Sequence, residues 1–303
     1  MPVTVEASLF HTPAHDTDNP RWVHADDCRN VMRAMQENSI SLIVTDPPYF
    51  IDGMGDDWDH GALARRMRGC GVVKSLPIGM KFDRSQGPRL QEFMRPIAEE
   101  WLRIIRPGGF VLCFSQNRLV HHAAMAIEAA GFEIRDILAW RYEGQAKAFS
   151  QEHFIRKRNI PQAEKDRLIA KLGGRKTPQL KPQCEMIIMA QAPRDGTFVD
   201  NWDRWETGLI DPHSPVIEPG RFPGTVIPAK KPRVRHGHMT TKPVDLLRHL
   251  IRLFSPDSAV VFDPFVGSGS TGVAARMEGR SFVGVEVDVD MARSAERRVE
   301  AAV

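Results

Sequence analysis

Short apolar runs recur along the chain, each bounded by turn formers, and stretches of helical periodicity lie between them. Ser41–Thr45, Phe110–Phe114, Ile134–Trp140, Glu185–Ala190, Val260–Val266 and Ser281–Asp288 have the length and β-branched content of buried strands. Leu90, Phe93, Ile97, Trp101, Ile104 and Ile105 fall on one side of a helix predicted over 90–105, which Arg106-Pro107-Gly108-Gly109 stops. Further helices are predicted over 28–36, around 118–130, over 243–254 and from 273. Residues 1–19, with scattered Pro, Asp and His, read as a loose arm. The alternation predicts an α/β fold, a wound and mostly parallel sheet with helices on both faces.

In such a sheet ligands bind beyond the carboxyl ends of strands, where the strand order reverses, so the residues that end each run carry the chemistry. Asp46-Pro47-Pro48-Tyr49 ends the run 41–45. This joins a carboxylate, a stiff turn with an outward carbonyl, and an aromatic face. An exocyclic amine on a nucleobase is a poor nucleophile because its lone pair is delocalised into the ring. Two acceptors can localise that pair: the Asp46 carboxylate takes one N–H and the Pro47 carbonyl the other, while Tyr49 offers a ring for stacking. A base reaches such a pocket only by leaving the duplex. A bare Asp-Pro would be an ordinary turn.

Near the other end, the strand ending in Asp263-Pro264-Phe265 runs into Gly267-Ser268-Gly269-Ser270-Thr271-Gly272 and then a helix. A Gly-x-Gly-x-x-Gly turn there lets a ligand approach the backbone and the helix N-terminus. Glu286, ending the next strand, is placed for ribose hydroxyls. This half alone fits NAD or S-adenosylmethionine. An amine pocket beside it favours methyl transfer over hydride transfer, because an oxidoreductase has no use for Asp-Pro-Pro-Tyr.

Charge adds a partner. The net charge of the 303 residues is only +3, but it is uneven. Arg141 to Lys181 holds eleven basic and four acidic residues, including Arg156-Lys157-Arg158 and Arg175-Lys176. Arg221 to Arg235 adds Arg221, Lys230, Lys231, Arg233 and Arg235 with no acid. Such clusters suit phosphate contacts, so 146–180 and 194–235 are expected to form a target-recognition insert on double-stranded DNA. The connection 50–84, acidic and glycine-rich and then basic, is a candidate lid, and Tyr142 a candidate wall of the base pocket. Four scattered cysteines, Cys28, Cys70, Cys113 and Cys184, form no Cys-x-x-Cys pair, and the histidines lack partners at metal spacing. No metal, no secretory leader and no membrane span are expected, and a cytoplasmic, nucleoid-associated protein is.

Asp46-Pro47-Pro48-Tyr49, Asp263-Pro264-Phe265-x-Gly267-Ser268-Gly269 and His238-Met239-Thr240-Thr241-Lys242-Pro243-Val244 together resemble the amino-methylating DNA methyltransferases that act on adenine N6 or cytosine N4. Their order resembles the beta-type arrangement of that family. The resemblance covers roughly 20–145, the base-amine half, and 181–193 with 236–303, the cofactor half. It implies a Rossmann-like methyltransferase fold, S-adenosylmethionine as cofactor, a homodimer and a place in restriction-modification. It puts Asp46, Asp263, Phe265, Gly267, Ser268 and Gly269 around the cofactor, Glu286 on its ribose, and Thr240 and Lys242 over its methionine carboxylate. Asp27 resembles an acid that accepts from the cofactor adenine, with Asp26 a one-residue rival and a helix cap the alternative role. Aspartate at position 46 implies adenine N6, with cytosine N4 as the alternative. A nicotinamide oxidoreductase and a non-catalytic DNA-binding subunit are the more distant readings.

Overall fold

The computed structural model describes residues 22–48, 84–146, 148–213, 215–232 and 241–302. Among them eight strands form one sheet. They are β1 (Val23–Ala25), β2 (Ile40–Thr45), β3 (Ile105–Ser115), β4 (Glu133–Arg141), β5 (Cys184–Gln191), β6 (Val226–Pro228), β7 (Val260–Asp263) and β8 (Ser281–Glu286), in the order β1-β8-β7-β2-β3-β5-β4-β6. All neighbours are parallel except β5, which runs antiparallel to both β3 and β4. The start of β5 therefore lies at the edge where the other strands end.

Both faces are covered. Helices α1 (Cys28–Ala34), α2 (Gln86–Ile104) and α3 (Val120–Ala129) pack with Ile43, Val111, Cys113 and Phe262 in one core. Leu42, Val44, Phe110, Leu112, Phe114 and Val261 point the other way, into a second core with α7 (Val244–Phe254), α8 (Ser270–Met277) and α9 (Val289–Glu300). Successive strand residues thus supply opposite cores, which is why the middles of these strands are apolar on both faces. On α2 the buried positions are Leu90, Met94, Ile97, Ala98, Trp101 and Ile104, close to the expected stripe, with Phe93 half-buried.

The wound architecture is as expected, and several boundaries differ for local reasons. The strand expected over 260–266 ends at Asp263, because the Asp263 Oδ1 accepts the Phe265 N–H (3.1 Å) and turns the chain. The strand expected to Asp288 ends at Glu286, because Asp288 caps α9 by accepting from the Met291 N–H (2.8 Å). Arg106-Pro107-Gly108-Gly109 does not separate a helix from a strand: β3 begins at Ile105, and the four residues form an irregularity where Ile40 pairs with Ile105 but Leu42 with Phe110. Three short helices went unpredicted: α4 (Glu152–Arg156), α5 (Gln162–Leu172) and α6 (Phe198–Trp205). So did the three-residue edge strands β1 and β6, too short to show a period, and α9, a helix rich in charge.

Candidate active site

Strand order reverses between β7 and β2: from β7 the chain winds through α8 to β8, and from β2 through α2 to β3, on the opposite side. Ligands bind at such a point. Asp46 follows β2 and Asp263 ends β7, two strands paired through Leu42–Val261 and Ile43–Phe262. The two halves of the site, about two hundred residues apart in sequence, are joined by a hydrogen bond. The buried Thr45 Oγ1 donates to Asp263 Oδ1 (2.8 Å), and Thr271 of α8 donates to Oδ2 (2.7 Å). Burial pushes the Asp263 carboxyl up to about 6; these hydroxyls and the Phe265 amide work against the rise, and the nearby Asp46 adds to it.

The glycine turn is fastened from two sides. Gly267 donates its N–H to Glu286 Oε2 (3.0 Å), whose other oxygen accepts from the Asp288 N–H (3.1 Å). Arg298 of α9 donates to the Ser268 carbonyl (2.7 Å) and to Ser270 Oγ (3.0 Å). Gly269 has φ +79°, and a Cβ there would press against the Ala295 backbone at 3.1 Å. A Cβ on Gly272 would lie 2.6 Å from Phe282 and Val299, so that glycine sets the approach of α8 to the sheet. Phe265, half-buried, meets Phe93 of α2 at 6.2 Å between ring centroids.

Lys242, 7% exposed, is buried just before α7. Its ammonium pairs with Asp46 Oδ2 and with Glu185 Oε1 (3.1 Å), over the Phe114 ring (5.0 Å). Burial works to strip its proton, but Asp46 and then Glu185 outweigh that, and the pKa lies above the ordinary lysine value. Asp27, one strand beyond Glu286, caps α1 by accepting from the Arg29 N–H (2.8 Å), and the Arg29 guanidinium beside it holds its carboxyl below the usual range. Tyr142 stands next to this group: its hydroxyl donates to the Cys184 carbonyl (3.3 Å), Lys231 lies 3.7 Å over its ring, and burial followed by the Glu185 charge raises its pKa.

The structure thus brings Asp46, Pro47, Pro48, Lys242, Asp263, Phe265, Gly267, Ser268, Gly269 and Glu286 to one sheet edge, with Asp27 beside it. Tyr49, Thr240, Arg233, Arg235 and the candidate lid 50–83 lie outside the described residues, as does the N-terminal arm. Sequence reasoning missed Thr45, Thr271, Arg298 and Glu185. The hydroxyls and Arg298 left only the signal of polar residues beside a motif. Glu185 opens a strand, the wrong end for a parallel sheet, and only the reversal of β5 carries it to the site.

The basic insert divides. Residues 146–180 leave from the end of β4 and return to the start of β5, so they hang from the site edge; Phe149 and Thr177 close their base through N–H to carbonyl and N–H to hydroxyl bonds. Arg156, Lys157, Arg158, Arg175 and Lys176 are exposed there. Lys230 and Lys231 follow β6 at the same edge. Residues 193–211 do not come to the site. They pack at the opposite edge, where Asn201 and Thr207 donate to the Pro107 carbonyl (3.0 and 2.6 Å). Among the described residues no cluster of metal-binding side chains occurs, and no helix is long and apolar enough to cross a membrane.

The geometry agrees with the sequence families the chain can be compared with. Residues 40–297 match the model of the N6/N4 DNA methylases. The chain belongs to this DNA methylase family. As a member it is a DNA methyltransferase whose methyl donor is S-adenosylmethionine. It is 27% identical over 277 residues to the Type II methyltransferase M.HindIII of Haemophilus influenzae, covering 84% of this chain and 87% of that one. Among solved structures, the methylase fold is shared with M1.HpyAVI in complex with S-adenosylmethionine (TM-score 0.54, 16% identity, 92% and 98% covered) and with the cytosine-N4-specific PvuII DNA methyltransferase (TM-score 0.57, 14% identity, 91% and 85% covered).

Proposed function

We propose that this methylase acts on adenine N6 of a base turned out of duplex DNA, and that Asp46 and the Pro47 carbonyl hold the amine. The observation that carries the reading is the position of Asp46: it stands at the strand-order reversal, one strand from the glycine turn, with its carboxylate oriented by a buried lysine. Aspartate at this position accords with adenine in the resembled family, where serine accompanies cytosine.

The residues of the cofactor half suit S-adenosylmethionine. Glu286, whose two oxygens hold the backbone N–H groups of Gly267 and Asp288, is the residue proposed for the ribose hydroxyls. Asp263 and Lys242 offer opposite charges for the amino and carboxylate groups of a methionine moiety, and Asp27 is the residue proposed for the adenine ring. When bound, the cofactor supplies an electrophilic methyl carbon on a sulfonium.

The chain's own part is positioning and proton transfer. Asp46 accepts one amine N–H and the Pro47 carbonyl the other, which draws the lone pair out of ring conjugation and toward tetrahedral geometry. The lone pair so freed would be the nucleophile toward that methyl carbon, and Asp46 would take the surplus nitrogen proton and pass it to water. Tyr49 is proposed to stack on the base. The exposed basic residues of 146–180 and Lys230 and Lys231 are proposed to meet phosphates, since they share the site edge; 194–211 drops out of that surface.

The test is Asp46→Ala with methyl transfer to unmodified genomic DNA. Cofactor binding by calorimetry should persist while methylation is lost; near-normal turnover would remove Asp46 from the chemistry. Digestion and mass analysis of DNA modified by the native chain should give N6-methyladenine, and N4-methylcytosine alone would move the assignment to cytosine.

A further inference from the structure

We propose that Glu185 is a positioning residue for methyl transfer: by sharing the Lys242 ammonium with Asp46, it keeps the Asp46 carboxylate both oriented and available to the base amine. The inference rests on the reading of Asp46 as amine acceptor. It begins from three charged groups in contact. One buried ammonium lies between two carboxylates, Asp46 beyond β2 and Glu185 at the head of β5, with the Phe114 ring of β3 beneath. The three groups come from separate parts of the chain and meet only because β5 is reversed.

A buried ammonium draws strongly on any carboxylate within reach. With a single partner it would draw that carboxylate toward itself and weaken it as an acceptor of the amine N–H. A second carboxylate 3.1 Å from Nζ takes part of that demand. Asp46 is then held in place without being used up. Misplacing a group that holds a reactant costs on the order of 10²-fold in rate even when binding survives.

The effect should therefore appear in kcat more than in KM. Full-length chain, S-adenosylmethionine and genomic DNA from a host lacking the modification are used at saturation, with label transfer followed long enough to read rates about ten-thousand-fold below native. Glu185→Gln is expected to lower kcat by about 10- to 100-fold while KM for DNA and the melting temperature stay near native. Glu185→Asp, which restores the charge, should recover most of the loss. In a Lys242→Met background the Glu185→Gln change should cost less than about twofold, since its route is gone.

Native kcat in Glu185→Gln would overturn the proposal. So would an equal loss in both backgrounds, which would mean that Glu185 acts on the substrate by itself. If Glu185→Gln melts early, Glu185→Asp decides: failure to recover activity at native melting temperature counts against the idea. Asp46→Ala keeps the two levels apart, because an active Asp46→Ala sinks the underlying reading, whereas an inactive one beside a native Glu185→Gln sinks only this one.

Discussion

The sheet edge between β7 and β2 and the basic segment hung from β4 face the same side of the molecule but are built in opposite ways. At the sheet edge, Asp263 spends its oxygens on Thr45, Thr271 and the Phe265 amide, and Lys242 is closed in by two acids. In the basic segment the ion pairs are local: Arg167 pairs with Glu164 three residues away and Arg156 with Glu152 four away, all on exposed side chains. Exposed pairs of this kind are screened by solvent and add little to stability. The first region fixes groups from distant parts of the chain to within bond distances. The second leaves its charges on exposed side chains of short helices and the turns between them. A methylase needs both, since the reaction is intolerant of misplacement and the search along DNA is not.

The sharpest break of this contrast is to exchange the sensitivities. Asp46→Ala should reduce methylation by at least about 10³-fold, the scale of losing a preorganised contact to the reacting group, with little change in DNA affinity by fluorescence anisotropy. A large loss of DNA affinity instead would show that the rigid edge also carries duplex binding. Glu286→Ala comes next. It removes the acceptor that fastens Gly267 and is proposed to hold the ribose, so calorimetry should show S-adenosylmethionine binding weakened by about 100-fold, two such charged hydrogen bonds at about 1.5 kcal/mol each. Unchanged affinity would place the ribose elsewhere.

For the basic segment the expected effect is smaller and of another kind. Replacing Arg156, Lys157 and Arg158 together by alanine should weaken DNA binding about tenfold and lower the salt slope by up to about 2.7, three phosphate contacts at about 0.9 each, with kcat unchanged at saturating DNA. An unchanged salt slope would mean these residues face solvent in the complex.

What could be read from sequence follows the same division. The strand-end motifs were legible because a sheet edge forces unusual residues to follow an apolar run directly: Asp46 after 41–45, Asp263 and the glycines after 260–262, Glu286 after 281–285. Glu185 and Thr45 were not, since the importance of Glu185 depends on β5 running backwards and that of Thr45 on which strand lies next to β2. Neither is encoded locally. The extent 194–235 was drawn from proline content and charge, which do not tell one edge of a sheet from the other; the buried Asn201 and Thr207, which fasten the chain to Pro107, are what send 193–211 to the far edge.

His249 fastens the core to the chain before β6 and gives the smallest effect. It lies on α7, buried, and its Nδ1 accepts the Ile217 N–H (3.2 Å), tying the core helix to the chain that leads to Lys230 and Lys231. Burial lowers its pKa to about 4, with Glu218 opposing. A histidine kept neutral when folded leaves the unfolded chain binding the extra proton. Its contribution is therefore intact above pH 6.5 and is lost as pH falls from there toward 4. Asp263 works in the other direction: its folded pKa, about 6, is above its unfolded value, so its contribution is present at acid pH and lost as pH rises through 6. Between pH 4 and 6 the two act with opposite sign. His249→Gln keeps an acceptor for Ile217 but removes the titration. Relative to native, the variant should gain on the order of 1 kcal/mol between pH 7.5 and 5.5, read by urea unfolding at each pH. A constant difference across that range would show that His249 already takes up its proton when folded, and that the joint between α7 and the chain before β6 is open to water.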